Sequence, residues 1–127
     1  MDYYIDILEQ FKGLCEKHTQ IEFSLFTDDG EGIRGVIDPG DIVRNGPTHA
    51  GRDLILNVRL IAEYDAWAEM FEKMGTLEDR LNYCFTSDDQ DVRLQVETGT
   101  WTREPDESLL IYVNGVNVKV VRTKEVD

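Results

Sequence analysis

Cysteine, histidine and proline are scarce in this chain, and positive charge is half as common as negative. Two cysteines, Cys15 and Cys84, cannot build a disulfide framework and read as reduced core residues. Together with only two histidines, His18 and His49, they are too few and too scattered for a zinc site of His/Cys type. Three prolines (Pro39, Pro47, Pro105) leave no proline-rich linker. Thirteen Lys+Arg stand against 26 Asp+Glu, a formal net charge of -13, which disfavours tight nucleic-acid binding through counterion release. Long hydrophobic runs are also missing. The longest, Leu54 to Ala62, is broken by Asn57 and Arg59 and falls far short of the ~20 residues that cross a bilayer, so no membrane partner is expected. The opening Met1-Asp-Tyr-Tyr-Ile-Asp is acidic where an export signal is basic. What remains is 127 residues with 41% apolar content, the expectation being a single small, soluble, acidic domain over residues 1–127.

The acidic residues are spread evenly, 12 before Asp65 and 14 from Asp65 onward, so the charge belongs to a folded surface and not to a tail. Tyr4, Ile7, Leu8, Phe11, Leu14 and Cys15 recur at helical spacing, and Asp2 can cap this helix, which should end near Lys17-His18. Ile21, Phe23 and Leu25 alternate with polar residues as in a half-buried strand. Asp28-Asp29-Gly30-Glu31-Gly32 reads as a turn, followed by a strand over Ile33 to Ile37. Residues 38–51, with Asp38-Pro39-Gly40 and Asn45-Gly46-Pro47, read as a long irregular connection or hairpin tip. Leu54, Leu56, Val58, Leu60 and Ala62 then make the clearest strand, apolar on one face and mixed on the other, as expected inside a sheet.

A second helix carries an apolar stripe of Trp67, Met70, Phe71 and Met74, read as core packing, where each buried side chain contributes ~1.5–3 kcal/mol. Gly75 should end that segment, with a further turn or two through Leu77 and Leu81. Val92, Leu94 and Val96 alternate as a strand. Leu109–Val113 and Val116–Val121 flank Asn114-Gly115, a dipeptide suited to a type I′ hairpin. The resulting order, α-β-β-β-α-β-β-β, is an α+β fold with a mainly antiparallel sheet and two helices packed on one face.

No catalytic constellation is visible. A Gly-Lys-Ser/Thr phosphate loop and a Gly-x-Ser-x-Gly elbow are both missing, and Cys84, at an expected helix end, is a poor place for a thiolate. Asp28-Asp29-Gly30-Glu31 and Asp88-Asp89-Gln90-Asp91 lack the spacing of a calcium loop and read as solvated tips. The chain therefore reads as a non-enzyme, with no cofactor, no metal and no small-molecule substrate. The residues singled out for a partner contact are Asp38, Asp41, Arg44 and His49 in the 38–51 segment and Arg52 just after it, a mixed-charge composition equally compatible with plain mobility.

The negative charge fits two roles. A ring of such subunits could line a conduit through which DNA slides without sticking. Alternatively, an acidic domain could occupy the basic groove of a nuclease or effector, as an anti-CRISPR, anti-restriction or toxin-immunity protein. The helix Met1-Asp-Tyr-Tyr-Ile-Asp-Ile-Leu-Glu-Gln-Phe, the segment Val36-Ile-Asp-Pro-Gly, the strand Arg52-Asp-Leu-Ile-Leu-Asn-Val-Arg-Leu-Ile-Ala, the helix Trp67-Ala-Glu-Met-Phe-Glu and the turn Glu104-Pro-Asp-Glu occur in an order that resembles the tail-terminator and minor capsid proteins of tailed bacteriophages. The likeness runs over almost the whole chain through element order. It implies a virion protein, present in the host bacterial cytoplasm before assembly, that forms a ring, commonly a hexamer, at the head–tail junction and contacts other virion proteins. On that reading, strand edges and the 38–51 segment touch neighbouring subunits. The chain departs from the family pattern in its Asn114-Gly115 hairpin, where one longer strand is the rule, and in the long loop.

Overall fold

The computed structural model describes residues 3–44, 51–81, 84–86 and 92–122. Helix α1 (Tyr3–Thr19) is followed by β1 (Glu22–Leu25), β2 (Arg34–Arg44) and β3 (Gly51–Ala62). A 3-10 turn (Tyr64–Ala66) then leads into α2 (Trp67–Leu81), β4 (Cys84–Thr86), β5 (Val92–Glu104) and β6 (Leu110–Arg122). The strands form one sheet in the order β1-β2-β3-β6-β5-β4. β1 pairs with β2 in parallel and the other four pairings are antiparallel, so the sheet is mixed. The α+β class and the succession of helices and strands agree with the sequence pattern.

Both helices lie on one face. Ile7, Phe11 and Cys15 of α1 and Met70, Met74, Leu77 and Leu81 of α2 meet Leu54, Leu56, Val58 and Leu60 of β3 and Val116, Val118 and Val120 of β6, all buried. The period-two pattern of β3 turns every second side chain towards the helices. Flanked by β2 and β6 along its whole length, β3 is the interior strand its composition predicts. Helix α1 stops where Gln20 adopts a left-handed conformation (φ 61) and donates its N–H to the Glu16 carbonyl at 2.8 Å. Thr19, fully buried, donates its hydroxyl to the Cys15 carbonyl at 2.6 Å. The Glu16 carboxylate then accepts the Phe23 N–H at 3.1 Å, tying the helix to β1.

The parallel β1–β2 pair needs a return connection, and residues 26–33 supply it. Arg34, only 8% exposed, donates Nε and Nη2 to Asp28 at 2.6 and 2.8 Å and Nη1 to the Gly32 carbonyl at 2.8 Å. Such a bidentate pair fixes the loop in one geometry. The Asp28-Asp29-Gly30-Glu31 cluster is therefore a structural turn with its first carboxylate consumed. Across β1 and β2, Phe23 lies opposite Gly35, and its ring occupies the space a Cβ on Gly35 would need.

Four sequence expectations are corrected here. First, α2 runs through Gly75 without a break to Leu81. The buried row is consequently Met70, Met74, Leu77 and Leu81, and it leaves Trp67 56% and Phe71 44% exposed. Second, Asn114-Gly115 is not a hairpin turn. β6 is continuous, with Asn114 opposite Val58 and Gly115 opposite Asn57. Third, Cys84 lies in the short strand β4 rather than at a helix end. Fourth, the described part of the segment 38–51 is extended: β2 continues to Arg44 across a bulge between Pro39 and Ile42, and β3 begins at Gly51. The expected cap at Asp2 and the Asp88-Asp89-Gln90-Asp91 tip fall outside the described residues.

Candidate functional site

The continuous β6 explains what Asn114 does. On β5 the register shifts between Thr98 and Trp101, an inserted bulge at Gly99 and Thr100. Asn114, 1% exposed, clamps that bulge: its Oδ1 accepts the Gly99 N–H at 2.7 Å and its Nδ2 donates to the Gly99 carbonyl at 3.0 Å. A side-chain amide thus substitutes for a missing backbone pair.

Of the five residues singled out from sequence, the four described lie on β2 and β3. Asp38 sits on the helix-free face, 3.6 Å from Nη1 of Arg59, whose Nε donates to Glu104 of β5 at 2.9 Å. This arginine bridges strands across the sheet, so Asp38 has a structural partner. Asp41 is exposed within the β2 bulge. Arg44 and Arg52 lie opposite each other in the β2–β3 register. His49 lies outside the described residues.

Two surface features gain their particulars from the structure: the sequence reading places strand edges and the 38–51 segment at subunit contacts without saying which edges, and it reads Trp67 and Phe71 as core. The first is at the borders of the sheet. Among the described residues, β1 pairs with Arg34–Ile37 of β2 alone, and β4 with Arg93–Gln95 of β5 alone. Each long strand therefore runs past its outer neighbour, β2 towards its C-terminus and β5 also towards its C-terminus. Because those two strands run in opposite directions, the uncovered stretches lie at opposite ends of the sheet. Beyond the β2 bulge, Ile42 and Val43 are each 49% exposed, one pairing with Leu54 and sharing its helix-bearing face, the other pairing with Asp53 on the reverse face.

The second feature is aromatic. Trp67 packs edge-on against Phe71 (centroids 5.8 Å, 85° between planes), and Phe71 edge-on against Tyr112 of β6 (5.4 Å, 89°). Beside them Tyr64, 39% exposed, carries Arg103 over its ring at 5.8 Å and donates its hydroxyl to the Asp106 carbonyl at 2.6 Å. The charge of Arg80 reaches His18 of α1, so the two helices face each other along that flank of α2. The aromatic flank is the other one, lying over β6. A helix drawn as ending at Gly75 centres its stripe near Trp67 and Met74, with Phe71 at one edge. Adding Leu77 and Leu81 rotates the centre away from Trp67 and Phe71, which is the signal that would have shown their exposure.

No three His, Cys, Asp or Glu side chains converge as metal ligands among the described residues. Burial pushes the Cys15 thiol far above its ordinary range, which suits a packed core side chain and opposes nucleophilic use. Nor is any helix among the described residues long and apolar enough to cross a membrane.

No protein-family model matches the sequence, and no curated protein is detectably similar to it. Thirteen chains of solved structures match the fold. One of them superposes over 97% of this chain and 95% of its own with a TM-score of 0.59 at 9% identity, a likeness that establishes the arrangement of helices and strands and nothing further.

Proposed function

We propose that this protein is a non-enzymatic structural subunit of a tailed phage or phage-like particle, of the tail-terminator or tail-completion kind, which forms a ring at the head–tail junction. The observation that carries the reading is the pair of unlike sheet borders that the described residues leave partly uncovered, β2 with half-exposed Ile42 and Val43 on one side and β5 on the other. A ring needs heterologous contacts, in which one surface meets a different surface of the next copy. Two dissimilar borders on opposite sides of one sheet are suited to that. Pro39 and a bulge in β2, and a second bulge in β5, discourage indefinite strand-to-strand extension, so the contact would be made chiefly by side chains. The charge of -13 supports the same reading, since an anionic wall lets a polyanion pass without adhesion.

Electron microscopy of the purified protein, alongside sedimentation, tests this. Closed rings are expected for the wild type, and the double substitution Ile42→Asp, Val43→Asp should abolish them while leaving the circular dichroism spectrum unchanged. Rings that persist in the double variant would remove β2 from the contact. Tight capture of a basic nuclease by a strictly monomeric protein would favour an inhibitor instead.

A further inference from the structure

We infer that the aromatic ledge formed by Trp67, Phe71 and Tyr112 docks a basic, apolar-anchored segment of a different protein. The ledge is solvent-facing, with its two helix residues 56% and 44% exposed, and the described residues do not cover it. Clustered exposed aromatics are the usual anchors of a protein contact, whereas single exposed apolar residues are not. Which partner fits is decided by the charge around the ledge.

The stretch from Glu63 to Glu72 contains Glu63, Asp65, Glu69 and Glu72, all exposed, and no lysine or arginine. The Tyr64 hydroxyl, bonded to the Asp106 carbonyl, brings the 105–108 connection and its exposed Asp106 and Glu107 against the same end of α2. A shallow concavity lined by Arg103, Pro105, Asp106 and Glu107 opens there. Glu63 and Asp65 in the turn before α2, with Asp106 and Glu107 in the connection held by Tyr64, thus place four carboxylates by the N-terminal end of the ledge, while Glu69 belongs to the opposite side of the helix; the rings' negative faces also attract cations. Arg103 over Tyr64 is an example, within the chain, of that attraction. A second copy of this chain would bring the same carboxylates against them, and a nucleic acid would bring phosphates. A segment carrying lysines or arginines beside leucine-like anchors satisfies both the rings and the rim. This inference does not depend on the ring reading, because it concerns α2 and the 105–108 connection rather than β2.

The probe is a synthetic amphipathic peptide of lysine, leucine and alanine, with its glutamate-for-lysine counterpart as control, titrated against the intact protein by calorimetry. Binding of the lysine peptide should weaken as salt rises. It should fall about tenfold or more in Trp67→Ala and in Trp67→Ala, Phe71→Ala, as truncation of an anchor does. A similar loss is expected in Glu63→Gln, Asp65→Asn, Glu107→Gln, against less than about twofold in the remote triple Glu9→Gln, Glu22→Gln, Glu31→Gln. Because Trp67 is exposed, the single variant should melt with the wild type, and it keeps the test valid if the Phe71 change disturbs Tyr112. Equal losses in the two triples would reduce the effect to net charge and overturn the proposal. So would absence of binding, equal binding of the glutamate peptide, indifference to Trp67→Ala, or wild-type self-association that Trp67→Ala abolishes.

Discussion

Asp28 and Arg34 show how much one pair can decide. The hydrogen-bonded Arg34 guanidinium holds the Asp28 carboxyl below the usual carboxylate range, outweighing the burial that pushes it up. Asp28 therefore ionises more readily in the folded protein than in the unfolded chain. Its contribution is complete above the ordinary value of 3.8 and is lost as pH falls through the depressed folded value. Replacing Asp28 by Asn should cost about 1–3 kcal/mol at neutral pH, since it leaves a largely buried guanidinium poorly paired. In melting curves recorded from pH 7 to pH 2, the gap between wild type and variant should narrow at the acid end. Parallel curves would contradict the pairing. Cys15 gives a second test at this scale. Fully buried and protonated, it should resist thiol reagents in the native protein and react on unfolding, as read by peptide mass mapping. Cys15 was legible in the sequence because it falls on the apolar face of α1. The role of Arg34 was not, because a strand arginine looks like a solvent-facing residue until the loop that covers it is known.

Elements that extend over many residues were easier to read than their ends. β3 and α1 emerged directly from alternation and helical spacing, and the α+β class followed. Two local signals misled. Asn-Gly favours a tight turn, yet in β6 the backbone is held extended on both sides by β3 and β5, and Asn114 spends its amide on the β5 bulge. Gly75 resembles a helix stop, but it costs only ~1 kcal/mol relative to alanine inside a helix, less than burying Leu77 and Leu81 returns. Two substitutions check the clamp. Asn114→Ala should destabilise by about 1–3 kcal/mol, because Gly99 loses both of its partners. Gly99→Ala should also destabilise, since its Cβ would stand 2.8 Å from the Gly115 carbonyl oxygen. Thermal melts at wild-type level for both would show that the bulge does not need the clamp. At the sheet border, Gly35→Ala should displace the Phe23 ring and loosen β1, read as faster amide exchange in β1 than in β3.

On the scale of the molecule, the sequence shows the charge and marks strand edges and the 38–51 segment as contacts, but not how either is arranged. Asp38, Asp41, Arg44, His49 and Arg52 looked like one mixed-charge loop because turn-forming residues punctuate that stretch. Pairing with β3 extends residues 38–44 of that stretch and puts Ile42 and Val43 at the sheet border, while Trp67 and Phe71, which read as core in the sequence, stand exposed. Salt distinguishes these two surfaces. Copies of a chain with charge -13 repel one another, so added salt should strengthen self-assembly through the sheet borders. The same salt should weaken a basic segment on the α2 ledge. Sedimentation and peptide titration over one salt series should move in opposite directions, and a common direction would mean that one surface serves both contacts.

The central claim, that unlike sheet borders join copies head to tail, is tested most directly by native mass measurement over a rising protein concentration. A closed assembly predicts one dominant species at an integral multiple of 14.6 kDa above two, growing with concentration and lost with Ile42→Asp, Val43→Asp. A monomer throughout, or a dimer as the final species whatever stands at positions 42 and 43, would contradict it.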